Sequence, residues 1–183
     1  MGYEINTSNV RNQLASINRT LSDNVTSCSQ AKVAIGAYQN STALAGAAYR
    51  ASKDHYDKHH TLLDGMITYI DDMLAVNRAY QGKLCYLSEL VHYNQDKLER
   101  TLQTTNSLIA QLPEGINTFQ NSLNTLKRRV ERQLNQLDQF VKDTSGLYDT
   151  ADSSLTTLNA AMSQMSQVTF NPVTKTFTYP PGF

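Results

Sequence analysis

Residues 10–38 read VRNQLASINRTLSDNVTSCSQAKVAIGAY, and this stretch decides the fold. Apolar or small residues recur at Val10, Leu14, Ile17, Leu21, Cys28, Ala31, Ile35 and Tyr38, with Asn24 in one slot of an otherwise regular heptad. Steps of three and four place such side chains on one face of an α-helix. The spacing therefore predicts a long amphipathic helix over about residues 7–39. Thr7 or Ser8 is the expected cap, because a hydroxyl there accepts a bond from an amide that has no partner inside the helix.

Asn40 and Ser41 break the pattern, and Ser41 or Thr42 is placed to cap a second helix that opens on the run Ala43-Leu44-Ala45-Gly46-Ala47-Ala48. The two helices are expected to fold back as a hairpin. The second stripe continues through Leu62, Met66, Ile70, Met73, Tyr80, Leu84, Leu87, Val91, Asn94 and Leu98. It predicts one helix over residues 42–104, with Gly65 and Gly82 as candidate kinks, since each glycine costs about 1 kcal/mol relative to alanine. Unbroken, that helix would run roughly 90 Å, a length that favours a rod.

Leu112-Pro113-Glu114-Gly115 punctuates the chain, because proline disfavours helix in the residue before it and suits a helix start. A third helix over 114–144 follows, with its seam at Ile116, Phe119, Leu123, Leu126, Val130, Leu134, Leu137 and Val141. Lys127, Arg128, Glu131 and Arg132 lie largely off that stripe. After Thr144-Ser145-Gly146, a fourth helix over 147–166 carries Leu155, Leu158, Met162 and Met165. Val168 and Phe170 then alternate with polar residues, Asn171-Pro172 suits the first two positions of a type I turn, and Phe177 and Tyr179 alternate again. Pairing Val168 with Tyr179 and Phe170 with Phe177 gives a small antiparallel hairpin, marginal alone and so expected to pack on the helices or on further sequence. The expected fold is all-α, an elongated antiparallel helical bundle or coiled-coil-like rod with a small C-terminal β-hairpin. Residues 1–167 form the helical domain, and 168–183 the hairpin and a linker ending in Pro180-Pro181-Gly182-Phe183.

Lysine plus arginine and aspartate plus glutamate each number 16, so the net charge is zero. A nucleic-acid or anionic-membrane partner would leave a basic footprint, and none is expected here. Roughly a third of the chain is Ser, Thr, Asn or Gln, a polar but weakly charged surface. No stretch approaches the roughly 18 apolar residues that span a bilayer. The start, Met1 to Asn6, lacks the basic patch and apolar run of a classical secretory leader. Cys28 and Cys85 both fall at apolar positions of helical patterns, where a buried free thiol is favoured over a disulfide.

Chemistry-bearing constellations are sparse. His55 and His59 lie one turn apart, a zinc-compatible spacing if further ligands arrive from elsewhere. The metalloprotease form needs glutamate directly after the first histidine, and that residue is Tyr56; a solvated helix face or a seam histidine bonded to a neighbour is favoured. Glu89-Leu90-Val91-His92 has the Glu-x-x-His spacing of di-iron bundles but occurs once, where two copies are needed. Asp71 and Asp72 are adjacent and so point about 100° apart on a helix, reading as a solvated edge. There is no Gly-rich phosphate loop, Gly-x-Ser-x-Gly elbow or Cys-x-x-Cys pair. The expectation is a non-enzymatic chain without cofactor or metal, whose apolar stripes either dock other helices or close a self-contained bundle.

Leu44-Ala45-Gly46, followed by Ala48, Tyr49, Tyr56, Leu62-Leu63 and Gly65, resembles the signature region of LXG domains. The setting matches too, with Leu-x-Gly early in the second helix of a polar, heptad-patterned chain. The resemblance covers nearly the whole chain. It implies a targeting module made in the cytoplasm of a Gram-positive bacterium, ahead of a variable C-terminal toxin that is absent here. It further implies recruitment of small helical WXG-like partners and delivery to the type VII secretion ATPase for export. Leu44, Gly46 and Tyr49 are then the candidate partner-binding or hairpin motif, with Gly46 expected opposite Gly36 in a close backbone approach that Gly46→Leu would wedge apart. Tyr148-Asp149-Thr150-Ala151-Asp152 fits the loose Tyr-x-x-x-Asp/Glu export motif of type VII substrates, making Tyr148 and Asp152 candidate signal residues. The alternative is a structural coiled-coil spacer of a surface or secreted protein.

Overall fold

The computed structural model describes residues 2–87, 92–113 and 117–181. The order is β1 (Glu4–Asn6), α1 (Thr7–Gln39), α2 (Ala47–Lys83), a 3-10 turn (Leu84–Tyr86), β2 (His92–Asn94), α3 (Gln95–Gln111), α4 (Asn117–Thr144), α5 (Asp149–Ser166), β3 (Thr169–Asn171) and β4 (Thr176–Thr178). The protein is all-α with a small β-hairpin near the C-terminus. Two units divide the chain, one of Met1–Ala15 with Arg78–Gly146 and one of Ser16–Asn77 with Leu147–Phe183. The C-terminal hairpin lies in the second unit.

In the first unit, the stripe over 42–104 is not one helix, because α2 ends at Lys83, one residue past Gly82. The chain turns through Leu84–Tyr86 and re-enters as β2, which pairs antiparallel with β1 in the register Glu4↔Asn94, Ile5↔Tyr93 and Asn6↔His92. The reason is convergence. On a continuous helix Leu84 and Leu98 would sit roughly 21 Å apart. The turn instead gathers Leu84, Leu87 and Tyr93, all almost fully buried, with Leu14, Leu137 and Phe140 into one core, against which Leu98 packs. Tyr93 keeps its hydroxyl satisfied by donating to Gln136 Oε1 at 3.1 Å, as a buried phenol requires. Asn94 Oδ1 accepts from Lys97 N at 2.9 Å and so caps α3, with Asp96 in the first turn. At the other strand Asn6 does the same for α1, accepting from Asn9 N at 3.0 Å. The cap is therefore Asn6 and not Thr7 or Ser8, since α1 already begins at Thr7. α4 packs on α3. Glu89, Val91, Glu114 and Ile116, named in the sequence-based readings, lie outside the described residues.

In the second unit, α1 does not present the stripe counted from its apolar residues alone. The inward positions run Asn18, Leu21, Val25 and Cys28, while Ile17 is 47% exposed and Asn24 is exposed. Alternating steps of three and four select Asn18 and Val25 over their neighbours. Facing residues on α2 include the buried Ile70 and Asn77, and α5 contributes the buried Ala151. β3 and β4 pair with Phe170↔Phe177 and Thr169↔Thr178, the predicted register. Asn171 shapes the turn between them, its Oδ1 accepting from the amides of Val173 and Thr174. Lys175 closes it in a left-handed conformation at φ 59°, donating its amide to Asn171 O. Cys28 is buried and free, whereas Cys85 is exposed and free on the 3-10 turn, so the expectation of two buried thiols holds for one of them.

Candidate functional site

The corner between α1 and α2 holds the three motif residues in different roles, Leu44 and Gly46 in the connection and Tyr49 in the first turn of α2. Gly46 sits at φ +108°, immediately before Ala47 opens α2, and its carbonyl accepts from Arg50 N. That backbone conformation is one L side chains rarely adopt, which is why glycine stands there. The expected close approach of Gly46 to Gly36 is absent. A Cβ at either position would meet nothing within 4 Å, so the small residues are not there to bring backbones together. Ser41 and Thr42 do not cap α2 either, because the helix starts five residues later than Thr42, after Gly46.

Tyr49 reaches back from the first turn of α2 and donates its hydroxyl towards the carbonyls of Tyr38 at 2.7 Å, Ser41 at 3.1 Å and Gln39 at 3.3 Å. These lie at the C-terminus of α1, where carbonyls lack intrahelical partners. Tyr49 is thus a side-chain cap supplied by the neighbouring helix. Its ring lies 5.2 Å edge-on to Tyr38, Tyr38 meets Tyr56 at 5.1 Å, and Lys53 lies 5.0 Å over Tyr49. Gln39 Nε2 joins the same corner by donating to Asp57 Oδ1 at 2.7 Å. Leu44 does not join this packing and is 47% exposed.

Tyr148, just ahead of α5, donates its hydroxyl to Asn77 Oδ1 at 2.8 Å, and Asn77 Nδ2 donates to Asn18 Oδ1 at 2.7 Å. Asn77 is 1% exposed, so both halves of its amide need these partners. The polar chain ties α1, α2 and the start of α5 together. Asp152, the other candidate export residue, is exposed in the first turn of α5, where a carboxylate suits the helix N-terminus. The geometry therefore separates the pair: Tyr148 is half-buried and bonded to Asn77, and Asp152 is exposed.

His55 is a seam histidine bonded to a neighbour. Its ring stacks on Phe177 with centroids 4.1 Å apart and planes 5° from parallel, and its Nδ1 lies 3.0 Å from the Tyr179 hydroxyl. His59 lies beside it at 4.5 Å, with its Nδ1 directed to His55 O at 3.2 Å. Burial, and the neighbouring His59, push the His55 pKa below its ordinary value. Lys58 covers the Tyr179 ring at 4.8 Å. The hairpin is thus seated on α2 by aromatic contacts, with His55 Nδ1 facing the hairpin and His59 Nδ1 a backbone carbonyl. Among the described residues no group of three or more His, Cys, Asp or Glu is placed to hold a metal ion. Asp72 accepts from Ser154 at 3.3 Å, while Asp71 is exposed. Nearby, Lys32 pairs with Asp64, and this bond is the main cause of a lowered carboxyl pKa there, with His60 3.4 Å from the same carboxylate.

The structure also leaves apolar surface uncovered. Phe119 and Leu126, counted in the α4 seam, are 50% and 40% exposed, and Leu108 on α3 is 43% exposed. Leu108 and Leu126 line a groove of about 640 Å³ between α3 and α4, together with Lys97, Arg100, Thr104 and Leu123. A second groove, about 490 Å³, runs between α2 and α5 past Leu62, Gly65, Tyr69, Leu158, Ala161 and Met165. Comparison with protein-family models, curated proteins and solved structures finds no match. Periodicity identified Leu123, Val130 and Leu137 as buried, and it misplaced Phe119 and Leu126 because the stripe marks a face of the helix and not how much of that face a neighbour covers. No helix of the described residues is long and apolar enough to cross a membrane.

Proposed function

We propose that this chain is a non-catalytic targeting and partner-binding module of the LXG kind. It recruits small helical WXG-like proteins and directs an attached toxin to the type VII secretion ATPase of a Gram-positive bacterium. The observation that supports this reading is the uncovered apolar surface of the first unit, where Leu108, Phe119 and Leu126 remain 40–50% exposed on regular, well-packed helices. A bundle that served only as a spacer gains nothing from such a surface, whereas helix-to-helix burial requires one. In this proposal Leu44 and Asp152, both exposed, are the parts of the two sequence motifs that partners meet, while Gly46, Tyr49 and Tyr148 hold the shape around them.

The test is co-expression of the full chain with the small helical proteins encoded beside it, followed by co-purification and mass determination in solution. A complex of defined stoichiometry supports the module. A folded monomer that ignores those proteins overturns it and leaves the structural spacer.

A further inference from the structure

Resting on the partner-binding reading, we propose that the α3–α4 groove is the docking site for one amphipathic helix whose apolar stripe is flanked by acidic residues. Three properties of the groove specify that occupant.

The first is its floor. Thr101 and Thr105 line it, and each donates its hydroxyl to a carbonyl of its own helix, Lys97 O at 2.8 Å and Thr101 O at 2.7 Å. The protons of these two hydroxyls are therefore already committed to the helix backbone. With Leu108, Leu123 and Leu126 beside them, the floor calls mainly for aliphatic side chains, and its polar groups are short Thr hydroxyls and Asn94 at one end.

The second is its length. The α3 wall runs from Asn94 to Leu108, which is about 21 Å or four helical turns. A helix laid along two antiparallel helices buries its stripe over that distance by ridge-into-groove packing. An added strand would need a run of unpaired sheet edge, and only Asn94, the last residue of β2 and the cap of α3, brings a strand to this groove, whose other lining residues come from α3 and α4.

The third is charge. Lys97 and Arg100 line the groove and no acidic residue does. Arg129, exposed, lies three residues from Leu126 on the same face of α4. Among the described residues none of these three cations is in an ion pair, in a chain whose net charge is zero. The nearby acids point elsewhere: the Asp96 carboxylate lies against Gly2, and Glu99 accepts from Gln95 Nε2 at 2.9 Å. A partner helix bearing Glu or Asp beside its apolar stripe meets the cations, and one bearing Lys is repelled.

The experiment uses the full chain and two labelled, designed helical peptides of about 20 residues. They share one leucine stripe and differ only in flanking residues, glutamate in one and lysine in the other. The acidic peptide is expected to bind about tenfold tighter, a gap that narrows in high salt. Leu126→Gln is expected to weaken it about tenfold, and Arg100→Glu to abolish or reverse the discrimination. Both positions are exposed, and an unchanged helical circular-dichroism spectrum and melt confirm that the variants fold. Equal binding of the two peptides, indifference to both substitutions, or displacement of the acidic peptide by a short DNA duplex overturns the inference. An encoded helical partner that still co-purifies with Leu126→Gln and Arg100→Glu also removes this groove while leaving the targeting reading in place. A groove that discriminates the peptides when no encoded partner binds does the reverse.

Discussion

Replacing His55 with alanine should release the C-terminal hairpin from α2 without unfolding the helices. The substitution removes the parallel stack on Phe177 and the contact with the Tyr179 hydroxyl. An aromatic pair is worth about 0.5–1.5 kcal/mol beyond its area, and a hydrogen bond about 0.5–1.5 kcal/mol net. The docked state therefore loses about 1–3 kcal/mol, which raises the undocked population about 5- to 150-fold. Trypsin cleavage after Lys175, in the exposed turn of the hairpin, reads that population when opening is fast relative to cutting. Cleavage should accelerate by that factor while the helical melt barely moves. Wild-type cutting kinetics in the alanine variant would refute the docking energetics, as would equal acceleration at sites throughout the helices.

The same contact makes docking depend on pH, with a definite sign. The His55 pKa in the folded protein is below its ordinary value, through burial first and His59 second, so the docked state favours the neutral ring. The undocked state, with the ordinary value near 6.5, takes up its proton first as pH falls. Docking stability is therefore complete above about pH 6.5 and is lost as pH drops through the lower folded value. The groups facing this corner are His59, Lys58, Asp54 and the Tyr179 phenol, whose own pKa is raised by burial and by Asp54. Amide exchange of Thr176 to Thr178, corrected for intrinsic rates, should rise faster than expected between pH 7 and 5. His55→Gln should flatten that rise, because glutamine retains a polar partner for Tyr179 without titrating.

The glycines give a paired prediction: Gly46→Ala should cost about 1–2 kcal/mol because its φ is +108°. Gly36→Ala should add about 0.5–1 kcal/mol, since α1 is regular there and the new methyl meets nothing within 4 Å. Melting temperatures moving in opposite directions check both, and a shared direction rejects the backbone argument. Tyr49→Phe should destabilise by about 0.5–1.5 kcal/mol by leaving the α1 carbonyls uncapped, measured as a lower urea midpoint at unchanged slope. Tyr148→Phe should cost a similar amount by unpairing the buried Asn77 oxygen, whereas Asp152→Asn should change stability by less than about 1 kcal/mol.

What could be read from the sequence was what depends on spacing alone. Helix periodicity and the alternation at Phe170 and Phe177 report local geometry, and a helix or hairpin forms with that geometry wherever it is placed. The break between Lys83 and Gln95 was invisible to the same logic, because Leu84, Leu87 and Leu98 keep helical spacing, and what ends the helix is the pairing of Tyr93 with Ile5 and the core it completes. A local signal was present in Asn94 and Asp96, a cap followed by an acid, yet Asn94 also fitted the stripe. Asn18 and Asn77 were hidden for a related reason: asparagine counts as surface until a partner satisfies it, and the partner lies on another helix.

This bears directly on the candidate site. Gly46, Tyr49 and Tyr148 are the residues that most resemble motif positions, and each has a structural task that explains its identity without any partner. A variant at any of them perturbs the fold first, so a lost interaction there says nothing about recognition. Leu44, Asp152, Leu108, Leu126 and Arg100 are exposed and make no bond the fold depends on for its core. An apolar side chain left 40–50% exposed on a regular helix, as Leu108 and Leu126 are, has area that only a partner would bury. Recognition, if this chain is a docking module, has to be carried by residues of that second kind, and substitutions there are the ones whose effect on binding can be separated from their effect on folding.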